Sequence, residues 1–349
     1  MTRLVRSEPA GGSPLDDSHI ASWRNEGYAF VRDLFPGDLI DTLRSAAIAH
    51  YPPPGSAEAA SIADFGSGGA LTFPSVVPAL NELTLYEPFL QGVAQLLDTP
   101  VTELRLTQSD LWAKYGRDER LGRGDNADQR IHVDYPNHTL AHPTPWDRPE
   151  AVEVIVYFDE AEVTGGGTAF VPRQGKDDPA YRWPIVDSPG IGDLKYVNDR
   201  ALAEAYFAEQ RPDLAEWRTS LYEREKQADF RPGDVLFYRH DLWHRGTPMK
   251  PGTLRVVQNM TFRRASAEWI STLHVGWAWR AYRDDKLLEK LIARSSLGQR
   301  AVLGFPQPGN EYWCEETIAA VEARYGMFGM DMAPYRAALG VPGRATSGQ

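Results

Sequence analysis

The chain has 349 residues, of which 42% are hydrophobic and 11% aromatic, and carries a formal net charge of −11. This is ample material for a packed core, and the length allows either one large β-rich domain or two smaller ones. The acidic balance argues against a nucleic-acid or anionic-membrane partner, since such binding rests on basic surface, and the single cysteine, Cys314, excludes an intrachain disulfide and fits a reducing compartment.

Residues 1–15 read as a loose tail with Gly, Ser and Pro and no apolar run of signal-peptide length. Nothing further on approaches the roughly 18 apolar residues of a spanning helix, so a soluble, cytoplasmic protein is expected. Ile20 and Trp23 stand at helical spacing, Gly27 stops that helix, and "YAFVRDLF" reads as a strand. Leu39, Ile40 and Leu43 restart a helical pattern, and a Leu-rich helical stretch over about 77–97 is divided at Pro88. Residues 16–100 are therefore expected to form a helical buttress.

From 101 to 264 the character changes. "VTELRLTQSDLWAKY", "QRIHVDY", "VEVIVYFDE", "GTAFVPR", "GDVLFYRHD" and "LRVVQNMTFRR" are β-branched or aromatic runs bounded by Gly, Pro and Asp. They predict a mainly β, α+β fold with an antiparallel jelly-roll core. An insertion at about 176–228 carries two helical patterns, and 265–349 returns to amphipathic helix. The whole is expected to be one catalytic domain. The insertion and the C-terminal helices are expected either to cover the mouth of the jelly roll or, for the latter, to form a homodimer contact.

The chemistry-bearing residues lie in the β region. Read as a strand, "QRIHVDY" puts His132 and Asp134 on one face. Alone, so short a triplet reads more readily as two ordinary polar residues of a surface strand. A distant His244, opening the turn "HRGTP" after an apolar strand, completes two histidines and a carboxylate, the set used for non-haem Fe(II) with open positions left for ligands. His240 competes for the third place, but His244 has the better setting at a strand end. Arg255, in the apolar run "TLRVVQNM", needs an anionic partner. That partner is either an Asp or Glu of the protein or the far carboxylate of a dicarboxylic cosubstrate. His138 and His142 have the spacing of a zinc pair on a helix, yet Pro136 and Pro143 bracket them and favour a loop.

Taken together, H-x-D, a distant His and an Arg eleven residues beyond it resemble the phytanoyl-CoA dioxygenase-like family of iron- and 2-oxoglutarate-dependent oxygenases. "TGGGTAFVPRQGK" is similar to that family's Gly-Gly turn and strand, with Arg173-Gln174-Gly175 where Gly-Ser-His is usual; Trp23-Arg24-Asn25-Glu26-Gly27-Tyr28 echoes an N-terminal motif. The likeness covers about residues 18–264. It implies a double-stranded β-helix, Fe(II), 2-oxoglutarate and O2, with His132, Asp134 and His244 as iron ligands and Arg255 as the oxoglutarate clamp. It implies further cosubstrate contacts from Gln108 and Lys114. The family's Asn between the distal His and the Arg is missing, and Thr247 or Thr253 stands in its place. Related halogenases put a small residue where Asp134 stands, so halogenation is not expected.

The reaction so implied is hydroxylation of a small-molecule substrate with release of succinate and CO2; desaturation or cyclisation would use the same residues. Two other readings stay open. A metal-dependent cupin-like isomerase or hydrolase would not need Arg255, and a non-catalytic binding jelly roll would tolerate loss of His132. Acyl-CoA, an amino acid and a secondary metabolite are all compatible substrates.

Overall fold

Helix formation at the N-terminal end follows from its caps. Asp16 accepts the His19 backbone N–H at 2.9 Å, starting the helix Asp17–Glu26, and Gly27 ends it in the left-handed conformation, φ 88°. The helices Pro78–Thr84 and Glu87–Leu96 each carry a proline in the first turn, where no backbone donor is lost. The computed structural model describes residues 13–62, 71–116, 128–175, 177–181, 199–270, 286–302 and 304–339. Residues 1–12 of the expected tail, 182–198 of the insertion and 271–285 of the C-terminal segment lie outside the described residues.

Among the described residues eight strands follow in chain order: β1 (Tyr28–Val31), β2 (Leu104–Tyr115), β3 (Ala151–Tyr157), β4 (Thr168–Phe170), β5 (Lys226–Gln227), β6 (Val235–Tyr238), β7 (His244–Gly246) and β8 (Leu254–Arg264). They make two antiparallel sheets, one of order β1-β6-β3-β8-β2 and one of order β5-β4-β7. The period-2 alternation of β3 sorts its side chains cleanly. Val152, Val154 and Val156 join Phe237, Val256, Met260 and Phe262 against the N-terminal helices. Ile155 and Tyr157 face the other way, with Leu236, Tyr238 and Val257, toward Phe170, Leu242 and Trp243. This inner face is where the polar residues of interest gather.

Two sequence expectations change. "QRIHVDY" is not a strand: only His132 pairs, in an isolated bridge with His244, and Tyr135–His138 form one helical turn with Pro136 in it. The backbone donors explain why. The N–H groups of Asp134 and Tyr135 both go to the His240 carbonyl, at 3.1 Å each, so no ladder continues past His132. His138 therefore closes a helical turn rather than lying in a loop.

The insertion and the C-terminal helices both touch the segment that holds His132 or its continuation. From the helix Pro212–Glu223, Tyr222 Oη accepts the Ile131 N–H at 3.0 Å, and Arg218 is fully buried against Glu204. From the helix Glu315–Tyr325, Arg324 donates to the Thr139 carbonyl at 3.1 Å, and Tyr325 Oη donates to that of Leu140. Ile318, Val321 and Tyr325 are buried in a cluster with Leu140, Ala141 and Ala151, so this packing lends no support to a dimer contact through them. Among the described residues no helix is long and apolar enough to cross a membrane.

Phe89 ties the helical layer to the large sheet. It is fully buried, with ring centroids 5.3 Å from Phe35, 5.9 Å from Phe237 and 5.5 Å from Phe262. Phe89→Ala is expected to lower stability by about 3–5 kcal/mol in denaturant unfolding. A loss below about 1 kcal/mol would show that this contact does not anchor the layer.

Candidate metal centre

Two short segments build the centre. His132 and His244 exchange both backbone hydrogen bonds at 2.9 Å, so their side chains emerge side by side with ring centroids 4.5 Å apart. The Nδ1 of each ring meets a carbonyl two residues back, Arg130 O for His132 and Leu242 O for His244, both at 3.0 Å. An Nδ1–H donated to a carbonyl fixes the tautomer and leaves Nε2 as the free ligand atom. Asp134 folds back across the pair because the chain turns after Val133. Its Oδ1 is 3.6 Å from His132 Nε2 and its Oδ2 is 3.1 Å from His244 Nε2. The three residues offer ligand atoms within 4.8 Å of one another, a group that could hold a metal ion.

The electrostatics suit that role. Burial alone would raise the Asp134 pKa, but His244, by charge and hydrogen bond, and His132 together hold it well below the usual carboxylate range. His132 is pushed down to about 3 by burial and by His244, so it stands neutral. For His244 burial would lower the pKa, yet Asp134 and the Leu242 carbonyl raise it above the ordinary histidine value. An anion and a neutral imidazole are thus ready as ligands, and His244 must release a proton first.

The other predicted residues separate into two ends of the inner face. Arg255 and Lys114, both buried, stand directly opposite one another on β8 and β2. Lys114 reaches toward β7: a Cβ added at Gly246 would lie 3.0 Å from Lys114 Nζ and 2.7 Å from Gln129 Oε1. Gly165 and Gly166, with φ of 67° and 69°, make the turn beside them, and a Cβ on Gly166 would sit 3.3 Å from an Arg255 nitrogen. Gln108 is not at this end. It pairs with Thr261, six residues along β2 from Lys114, or about 20 Å at roughly 3.3 Å per residue. Thr253 donates its hydroxyl to the Lys250 and Thr164 carbonyls, and Thr247 donates to that of Gly167, so both hold turns.

His240 turns its ring to Glu153 rather than to the triad, with Nε2 3.3 Å from Glu153 Oε1, and His138 stacks on it at 5.2 Å. His142 is apart, against Tyr135. Arg173 donates to the Gly175 carbonyl and covers the Trp146 ring at 4.2 Å. Sequence reasoning missed Gln129, Tyr238 and Glu153. Gln129 accepts the Gly246 N–H at 2.7 Å, while Tyr238 Oη donates to Glu153 at 2.8 Å and lies 3.3 Å from Asp134 Oδ2. A glutamate inside the wholly buried run "AVEVIVY" was the available signal.

His132→Ala and His244→Ala are expected to abolish stoichiometric Fe(II) binding in anaerobic titration, while His240→Ala and His142→Ala keep it. Loss of the metal in His240→Ala with retention in His244→Ala would overturn the assignment. Because a proton on His244 competes with the metal, affinity should fall as pH drops through the raised His244 value and level off above it. A pH-independent calorimetric affinity across that range would contradict this.

The sequence model of the phytanoyl-CoA dioxygenase family matches residues 23–256. No curated protein matches the chain in sequence. Among solved structures it is similar to the non-haem α-ketoglutarate-dependent carbocyclase SnoK from nogalamycin biosynthesis, at 16% identity over 72% of this chain and 85% of that one, with a TM-score of 0.48. EctD from S. alaskensis is similar at 17% identity over 76% and 82%, TM-score 0.48. EvdO2 from Micromonospora carbonacea var. aurantiaca is similar at 15% identity over 72% and 91%, TM-score 0.47. With well over half of its length matched, the chain belongs to the phytanoyl-CoA dioxygenase family, enzymes of the non-haem iron, 2-oxoglutarate-dependent kind.

Proposed function

We propose that this chain is an iron- and 2-oxoglutarate-dependent hydroxylase of a small molecule, its two antiparallel sheets forming the halves of a double-stranded β-helix within one catalytic unit. His132, Asp134 and His244 hold the metal through their Nε2 and carboxylate oxygens, as the backbone bridge aims them. Iron with 2-oxoglutarate supplies the oxidising chemistry, using O2 to oxidise a substrate C–H bond while 2-oxoglutarate leaves as succinate and CO2. The carboxylate of Asp134 fills the ligand place that a halide would need.

The observation that carries the reading is the pair Arg255 and Lys114. They set two buried cationic side chains directly opposite on neighbouring strands, a setting that attracts an anion, and the far carboxylate of 2-oxoglutarate is such an anion. The guanidinium holds it by two parallel hydrogen bonds and the ammonium acts as a point charge. A side chain at Gly246 would press on Gln129 and Lys114, and one at Gly166 on Met249 before it reached Arg255. A cupin-like isomerase or hydrolase would have no use for this pair.

Truncating one partner of a buried charged pair typically costs about 2–5 kcal/mol. In Arg255→Ala, oxoglutarate affinity is therefore expected to fall at least roughly 30-fold, with lysine at that position restoring only part. Metal affinity should hardly change, because Arg255 is not a ligand. Calorimetry with Fe(II) or Mn(II) reads the two affinities separately. If Arg255→Ala binds oxoglutarate like the parent, the oxygenase reading fails and the cupin-like one leads.

A further inference from the structure

Glu153 lies on the inner face of β3 and is only 5% exposed. Its Oε2 accepts from Tyr238 Oη at 2.8 Å. Its Oε1 faces two imidazoles, His240 Nε2 at 3.3 Å and His138 Nε2 at 3.8 Å. Neither approach has hydrogen-bond geometry: among the described residues, Glu153 Oε1 and His240 Nε2 make no hydrogen bond although both atoms are buried. His240 and His138 are themselves 4% and 8% exposed, and their rings stack with planes 18° apart. Burying a polar atom without a partner costs about 1–3 kcal/mol. Folding alone gives no reason to keep two such atoms facing each other.

Their position gives the reason. Tyr238, Glu153, Thr261 and Gln108 form one row across the large sheet, all pointing inward. The Arg255–Lys114 row lies about 20 Å away, six residues along β8 at roughly 3.3 Å each. The triad sits between the rows: Asp134 adjoins Tyr238, and His244 is two residues from Gly246, which abuts Lys114. The unsatisfied cluster therefore lies across the metal position from the cosubstrate end. His240, though not Glu153 or His138, also lines a small cleft with Thr139, Thr144, Glu150, Arg239 and Asp241.

We infer that Glu153, with His240 and His138, is the substrate-recognition site, and that it takes a hydrogen-bond-donating group, a hydroxyl or a protonated amine, of a small polar substrate. This rests on the oxygenase reading. The Oε1 atom accepts the donor and the His240 ring flanks it, so the substrate group supplies the partner that the fold withholds. Anchoring there puts the neighbouring carbon beside the triad. A carboxylate or phosphate brings no hydrogen for Oε1, so a substrate presenting one here is disfavoured. Thr139 and Thr144 extend the polar lining along the cleft.

The test uses the full chain loaded with Mn(II) and 2-oxoglutarate, loading being checked first by calorimetry. Proton relaxation by the bound Mn(II) then reads three probes: methyl glucoside for the hydroxyl, butylamine for the ammonium and butyrate as the anionic control. The site predicts that methyl glucoside, butylamine or both are relaxed and that butyrate is not. It predicts that Glu153→Leu lowers the effect at least tenfold while 2-oxoglutarate still binds as in the parent. Glu153→Gln, which keeps the size of the side chain and an acceptor oxygen, should retain more of the relaxation than Glu153→Leu. Equal relaxation in parent and Glu153→Leu, relaxation of butyrate as strong as of the others, or relaxation of none would overturn the inference. Failure to load Mn(II) and 2-oxoglutarate at all would instead end the reading on which it rests.

Discussion

Everything at the centre of this protein depends on one backbone bridge. His132 and His244 come from segments far apart in sequence, and the two hydrogen bonds they exchange set their rings side by side. Each Nδ1 is then spent on a carbonyl two residues earlier, which leaves the Nε2 atoms converging on Asp134. The bridge in turn depends on its surroundings. Tyr222 holds the Ile131 N–H from one side, and the His240 carbonyl captures two N–H groups from the other. Three candidate ligands held by main-chain contacts are positioned before any ion arrives, which is what geometric selectivity among metals would require.

From that fixed point the inner face of the large sheet runs in two directions of opposite character. Toward Arg255 and Lys114 it is cationic and narrows around glycines that keep side chains out. Toward Glu153, His240 and His138 it offers a carboxylate and two imidazoles. One strand register accounts for both, because residues of even spacing along β2 and β8 share a face.

Much of this was legible in the sequence where the signal was long. β3 and β8 announce themselves as β-branched runs, and the helix Gly37–His50 by its spacing of Leu39, Ile40 and Leu43. Short elements were not legible: β5 has two residues and β7 three, too few for a period to show. The segment around His132 looked like a strand by composition, yet its hydrogen bonds go to two separate partners and it turns at Asp134. The pairing of His132 with Asp134 was expected from a strand pleat and is achieved by a turn. Gln108 and Lys114 share a strand and a face, yet six residues at roughly 3.3 Å each put them about 20 Å apart. Gln129 could not be found at all, because its role exists only in contact with Gly246.

The most direct test of the account is spectroscopic. A metal chelated by the keto-acid end of 2-oxoglutarate, while Arg255 holds the other end, should give a visible charge-transfer band when oxoglutarate is added to the Fe(II)-loaded protein without oxygen. The account predicts a band that saturates at one equivalent of each and is absent when either His132 or His244 is replaced by alanine. A protein that binds iron at these residues yet shows no band, or binds oxoglutarate equally well without metal, would contradict it.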